Sequence, residues 1–267
     1  MTLAWQFFLR DAKIAMSYRI SFIVGLLGNL LVLAVFYFIG KTVGFDKIPA
    51  LESYGGNFFA FLLIGVALTD CVGVSLTAFA AQIREGQMTG TLEITLLSPV
   101  SLPIILIYSS LWGYFYSAIR LLLYLVAGSL LYSVDLSKAD VAASMVIFLL
   151  TVAAFMGVGI LWASVVLLVK RGESIMMVFS YLVILTSGVL FPATALPGWL
   201  GQLSVLSPLT PALSGMRRAL LQGAGLSELL PTIGVLLLFS AVLLPLGLGS
   251  FQYAVNLARR AGSLAEY

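Results

Sequence analysis

Histidine is absent from this 267-residue chain, cysteine occurs once, and charge is scarce. Each shortage excludes something. Without histidine there is no imidazole proton relay, and the single Cys71 rules out a disulfide within the chain and a cysteine-rich zinc site. Charged residues make up 9% of the sequence, against about 25% in an ordinary soluble domain, so the chain is not a water-soluble globule. The net charge of +3 is spread over many loops, with no basic run to bind nucleic acid. What remains is apolar: 61% of the residues are hydrophobic. Several runs reach the ~20 residues a helix needs to cross ~30 Å of hydrocarbon, which predicts an all-α polytopic membrane protein with one transmembrane domain over 1–267. The N-terminus does not read as a cleavable signal. Arg10, Asp11, Lys13 and Arg19 precede an apolar run of about 21 residues, longer than the about 7–15 of a signal's core.

Six transmembrane helices are expected, at about 20–40, 58–80, 103–132, 140–169, 174–191 and 229–252. With the N-terminus inside, Arg10, Lys13, Arg19, Arg84, Lys170, Arg171, Arg259 and Arg260 are cytoplasmic. Lys41, Lys47, Lys138, Arg217 and Arg218 are external, and Arg120 lies within a span. Eight against five places both termini in the cytoplasm, although Arg217 and Arg218 oppose the bias. Over residues 1–19, Gln6, Arg10, Lys13 and Ser17 recur at helical spacing opposite Trp5, Phe8, Leu9 and Met16. That periodicity predicts an amphipathic helix lying along the cytoplasmic interface, the alternative being a frayed tail.

Two intervals interrupt the spans. Residues 192–228 follow the fifth and are apolar yet broken by Pro192, Pro197, Pro208 and Pro211, with Trp199 among the leucines. Uninterrupted pieces of about ten residues make about 15 Å of helix, half a bilayer. An external re-entrant helical hairpin satisfies this, provided its broken backbone is buried in protein or lines a wet cavity; a plain external loop is the alternative. Residues 81–102 join spans two and three on the cytoplasmic side. There Gly86 and Gly90 loosen the chain after Arg84 and Glu85, and "TLEITLL" offers a short helix stopped by Ser98 and Pro99. Leu92 and Leu96 share a face that rests on the membrane, while Glu85, Thr91, Glu93 and Thr95 meet water or a partner.

"EGQMTGTLEITLLSPVS" resembles the pattern of type 2 ABC transporter permeases, in which a Glu, then Gly-Thr-Leu-Glu, then Leu-Leu-Ser-Pro-Val-Ser lead into the third span. "SGVLFPATALPGWLGQLSVLSPLTPALSGMRRALLQG" is similar to that family's second hallmark: an aromatic-Pro turn, a Leu-Pro-x-Trp-Leu helix, a Ser-Pro-Leu-Thr turn and an Arg ahead of the last span. The resemblance covers essentially the whole chain. It implies the permease subunit of an ATP-driven exporter in a bacterial cytoplasmic membrane, a homodimer of this chain docked on two copies of an ABC ATPase. The 84–98 stretch becomes a short cytoplasmic coupling helix seated on the ATPase, with Glu85, Gly90, Thr91, Leu92, Glu93, Leu96 and Pro99 as its residues. ATP and magnesium belong to that partner, and no cofactor is expected in this chain. The residues agree. A phosphate-binding loop needs G-x-x-x-x-G-K-[ST], and at Gly40-Lys41-Thr42 the first glycine is replaced by Val35. Nothing resembles a catalytic triad, so no enzymatic activity is expected.

Inside the membrane, Asp70 in span two and Arg120 in span three lie roughly 17–18 Å below the external boundary and can face each other across adjacent antiparallel helices. An intramembrane ion pair is the favoured reading; cargo contact by Asp70 is the other. Span three also carries Tyr108, Trp112, Tyr116, Arg120 and Tyr124 at a spacing of four. Tyr108, Trp112 and Tyr116 are candidate cargo contacts, but a four-residue repeat drifts about 40° per step and cannot line one groove throughout. Arg217 and Arg218 either attract an anionic group leaving the pathway or snorkel to the outer interface. The Leu-, Val-, Phe- and Ala-rich interior suits a hydrophobic or amphipathic cargo, drug-like or lipid-like. A polysaccharide or lipid-linked glycan is the runner-up, and an ion-pumping role is a third. A secondary transporter stays open from another class, though it should show internal repeats and a set of ion-binding carboxylates.

Overall fold

The structure, a computed structural model, describes residues 2–43, 57–90, 100, 102–169, 173–192 and 196–261. Every regular element among them is helical: α1 (Leu3–Ser17), α2 (Arg19–Val43), α3 (Phe58–Met88), α4 (Leu102–Tyr132), α5 (Val141–Val169), α6 (Glu173–Thr186), α7 (Gly198–Ser204), α8 (Leu209–Arg217), a π turn at Arg218–Gln222, and α9 (Leu230–Ala261). Five of these, α2, α3, α4, α5 and α9, are long and apolar enough to cross a membrane. With 14 residues, α6 reaches only about 21 Å.

Two helices outrun their expected ends. The second span continues past residue 80 to Met88, so Gly86 lies inside the helix instead of loosening the chain. A propagating helix gains a hydrogen bond per residue, and one interior glycine costs only about 1 kcal/mol. The stop comes at Gly90, whose φ of 67° is the left-handed conformation glycine adopts past a helix end. At the other end of the chain, α9 runs to Ala261 instead of stopping near 252.

The core is built around α5, a helix apolar all round and covered by neighbours over much of its surface. It packs against α9 and α3, while α4 lies against the other side of α3 and α8 against α5. Where there is no hydrophobic force between helices in lipid, close backbone approach and interhelical hydrogen bonds take over. A Cβ on Gly247 of α9 would stand 2.6 Å from the Gly157 carbonyl oxygen of α5, and one on Gly159 would collide with the Ser75 carbonyl of α3. Ser240 Oγ donates to the Leu150 carbonyl at 3.2 Å, and Ser164 and Ser250 hydroxyls meet at 3.3 Å. Gly159→Val is therefore expected to cost about 3 kcal/mol by overpacking against backbone that cannot move aside. Gly73→Ala is the control, since nothing lies within 4 Å of its added methyl. Thermal unfolding followed by tryptophan fluorescence should show a lower midpoint for Gly159→Val and an unchanged or higher one for Gly73→Ala.

The α4–α5 connection is tied down locally. Asp140 Oδ1 caps α5 by accepting from the Ala143 amide at 2.8 Å. Nearby, the Ser137 hydroxyl and amide hold the exposed Asp135 carboxyl below its ordinary range. By contrast α2 sits at the periphery, with Ile23, Val24, Leu27, Leu31, Val35 and Phe38 exposed. For a chain in lipid, such a face meets acyl chains or another helix.

Candidate functional site

Two charges far from the helix ends meet. Asp70 is twelve residues into α3 from Phe58 and Arg120 twelve residues before the end of α4 at Tyr132, about 18 Å along each helix from the same end of the hairpin. Arg120 Nη2 stands 2.9 Å from Asp70 Oδ2, with the two side chains 15% and 20% exposed. Arg120 also lies over the Tyr116 ring, 4.7 Å from its centroid. The approach is one of charge without hydrogen-bond alignment: neither Asp70 Oδ2 nor Arg120 Nε has a hydrogen-bond partner among the described residues. A carboxylate oxygen is thus neutralised yet keeps acceptor capacity.

Asp70 borders a half-open crevice of about 290 Å³ lined by Val32 of α2, Val66 and Thr69 of α3, Tyr124 of α4, Ile184 of α6, and Val189 and Leu190 just beyond α6. Five apolar side chains surround one carboxylate and two hydroxyl-bearing residues, a lining suited to an apolar molecule with one or two polar groups. Among the described residues, no three His, Cys, Asp or Glu side chains converge on a point where a metal could sit.

The aromatic stripe of α4 divides. Tyr108 packs on Phe7 with ring centroids 6.2 Å apart, and Trp112 meets Phe8 edge-on at 5.4 Å. Both rings therefore serve the seam between α1 and α4, Tyr116 supports Arg120, and the member that reaches the crevice is Tyr124. The polar side of α1 joins that seam too: Arg10 pairs with Asp11 at 2.7 Å and reaches Ser109 Oγ at 3.4 Å.

Arg217 departs furthest from expectation. It does not snorkel or stand ready for a departing anion; its side chain is buried, the residue 3% exposed. The helix α8 presents it inward beside Leu213 and Met216. Its Nε and Nη2 donate to the Phe61 carbonyl of α3 at 3.3 and 3.1 Å, Nη1 to the Gly188 carbonyl at 3.0 Å, and Nη2 to the Val189 carbonyl at 3.1 Å. The guanidinium carbon is 3.3 Å from the Phe61 ring centroid. The physical reason is the end of α6. After Thr186 the chain leaves the helix, Gly188 takes φ 78°, and irregular backbone is left inside a membrane protein. Its carbonyls must be satisfied by protein, and a planar fork of donors does so. Gly65 makes room: a Cβ there would lie 2.6 Å from the Val189 carbonyl oxygen and 3.0 Å from Arg217 Nη2. Ser187 and Ser207 hydroxyls meet at 2.7 Å alongside. Neighbouring Arg218 is half-buried at the start of the π turn.

The proline-broken interval folds as two short helices, α7 of seven residues and α8 of nine. Pro197 precedes α7 and Pro208 precedes α8, where a missing amide costs nothing. Trp199 is 67% exposed, whereas α8 is packed into the core. Pro192 lies just past the α6 break. Of the coupling residues, Glu85 is exposed on the last turns of α3, where Thr89 Oγ1 bonds its carbonyl at 2.7 Å. Gly90 ends that helix, and Thr91, Leu92, Glu93, Leu96 and Pro99 lie outside the described residues. Sequence reasoning missed the Arg217 cradle; Gly65 and Gly188 were its only trace, and glycines are common in membrane helices.

The family described as ABC-2 type transporter matches residues 1–221 of the chain. No curated protein matches it.

Proposed function

This chain belongs to the ABC-2 type transporter family, and on that premise we propose that it is the permease of an exporter for a hydrophobic or amphipathic molecule. ABC-2 permeases are multi-pass membrane subunits that pair with a separate ABC ATPase. The observation that carries the cargo reading is the crevice beside Asp70, apolar on most sides with a carboxylate and hydroxyls at one. A drug-like or lipid-like molecule would bury its apolar body there and direct a hydrogen-bond donor to Asp70.

In this reading both termini are cytoplasmic, α6 with the break after it makes the fifth crossing, and α9 makes the sixth. The α7–α8 pair forms the re-entrant hairpin on the outer side. A second copy covers the exposed faces of α2 and α6, so that cargo moves between two copies. Two ATPase subunits, holding ATP and magnesium, close on nucleotide and push on the end of α3 and the 84–98 segment. The long cytoplasmic extension of α3 supports this: a continuous helix carrying Thr69 and Asp70 near its middle and Glu85 in its last turns would transmit a push directly to the crevice.

Purification of the tagged chain from its own membranes tests the reading. An ABC ATPase should accompany it in equimolar amount, and Glu85→Arg with Glu93→Arg should lower the nucleotide hydrolysis of the complex at least tenfold without changing its elution volume. Transport sustained by a purified chain with no nucleotide-hydrolysing partner would replace this reading with a secondary carrier.

A further inference from the structure

We infer that Arg217 is a positioning residue that holds the outer wall of the Asp70 crevice shut. Val189 and Leu190 line the crevice, and the Val189 carbonyl is one of the groups Arg217 binds. The same guanidinium binds the Gly188 carbonyl from the α6 break and the Phe61 carbonyl from α3. One side chain on α8 therefore pins the 188–190 stretch to the helix that carries Asp70. Phe61 precedes Asp70 by nine residues, so the pinned layer lies about 13 Å from Asp70 toward the end of the hairpin formed by Phe58 and Tyr132.

The chemistry of the closure suits a wall that moves. An apolar plug of this size would expose its surface to water on opening and resist it throughout. A guanidinium and bare carbonyls instead exchange their bonds for water, and a buried charge regains hydration that burial had withheld. Gly65 contributes by letting the Val189 backbone and the Arg217 guanidinium approach α3 closely. The Ser187–Ser207 contact, at 2.7 Å, makes a second exchangeable link between the break and the hairpin. Val189 itself belongs to the main buried apolar cluster with Ile64, Leu213 and Met216, so the polar pins reinforce a packed contact. That this wall bounds cargo space rests on the permease reading; that Arg217 keeps it closed does not.

The test follows access to the crevice. Cysteine is placed at Thr69 in a Cys71→Ser background, the full chain is reconstituted in phosphatidylglycerol–phosphatidylethanolamine nanodiscs, and labelling by a charged maleimide is timed. A second reporter, Ala254→Cys, sits in the apolar cluster of α5 and α9 away from the crevice. Arg217→Lys offers one nitrogen where three carbonyls need a fork. It should label at Thr69→Cys at least tenfold faster and leave Ala254→Cys unchanged. Equal acceleration at both reporters would show a purely structural role and overturn the inference, as would no acceleration at either. If Arg217→Lys does not fold, Ser187→Cys with Ser207→Cys decides in an otherwise native Arg217 chain. The oxidised cross-link should slow Thr69→Cys labelling at least tenfold and dithiothreitol should restore it; equal rates before and after reduction of a complete cross-link would overturn the inference. None of these readouts needs the ATPase or a cargo, so failure of the permease reading would register separately, in the purification.

Discussion

Arg217→Ala is expected to lower the thermal unfolding midpoint of the detergent-solubilised protein by about 10 °C, the largest shift among single substitutions at exposed or buried polar positions. The alanine leaves the Gly188 and Val189 carbonyls without their donor and empties the space over Phe61. A buried acceptor left unbonded costs about 1–3 kcal/mol, and two of them with the lost packing amount to about 4 kcal/mol. Against a total stability of about 5–15 kcal/mol that is a large share. Arg217→Lys should recover part of the loss, because an ammonium keeps the charge but reaches fewer carbonyls. Arg218→Ala, at a half-buried position, is the comparison and should shift the midpoint far less. Equal shifts for the two arginines would mean that the carbonyl cradle contributes no net stability.

The second large effect is expected at the ion pair. Asp70→Arg leaves two guanidinium groups side by side in α3 and α4, and Arg120→Asp leaves two carboxylates. A charge without its counter-ion at mid-membrane costs about 3 kcal/mol even on permissive insertion scales. Each reversal alone should therefore reduce folded protein in the membrane to below about a tenth of the native amount. The double swap restores opposite charges across the same 2.9 Å approach and should return at least half of it. Quantifying membrane-extracted protein by fluorescence size exclusion decides the matter. A swap no better than the single reversals would show that these two side chains act through other partners.

Much of this architecture is legible in the sequence. Long apolar runs must become helices in lipid because the backbone has no other way to satisfy its polar groups there, and α2, α3, α4, α5 and α9 follow from that constraint alone. The register of Asp70 against Arg120 could be counted because α3 and α4 are continuous helices joined end to end in one hairpin, and residue number converts directly into depth. Helix ends were less legible. The propagation of α3 to Met88 and α9 to Ala261 carries each past its apolar run, since composition marks where lipid ends and not where hydrogen bonding ends.

The aromatic stripe on α4 shows a different limit. Spacing predicted that it would wind around the helix, and it does, but which arc meets α1 and which meets the crevice depends on neighbours far away in the chain. Arg217 is the sharper case. Next to an identical residue, in a proline-rich external interval, it reads as surface charge. Its burial follows only from three backbone carbonyls brought together by segments 28 to 156 residues apart in sequence.

By itself, then, the sequence determined that this protein is a bundle of membrane helices, because lipid leaves the backbone no alternative and composition records where lipid is. Only the tertiary structure decided where the polar exceptions go. A carboxylate, a guanidinium or a hydroxyl inside the membrane must be satisfied, but its partners are chosen by helix crossings and by one broken helix, and no local pattern encodes those.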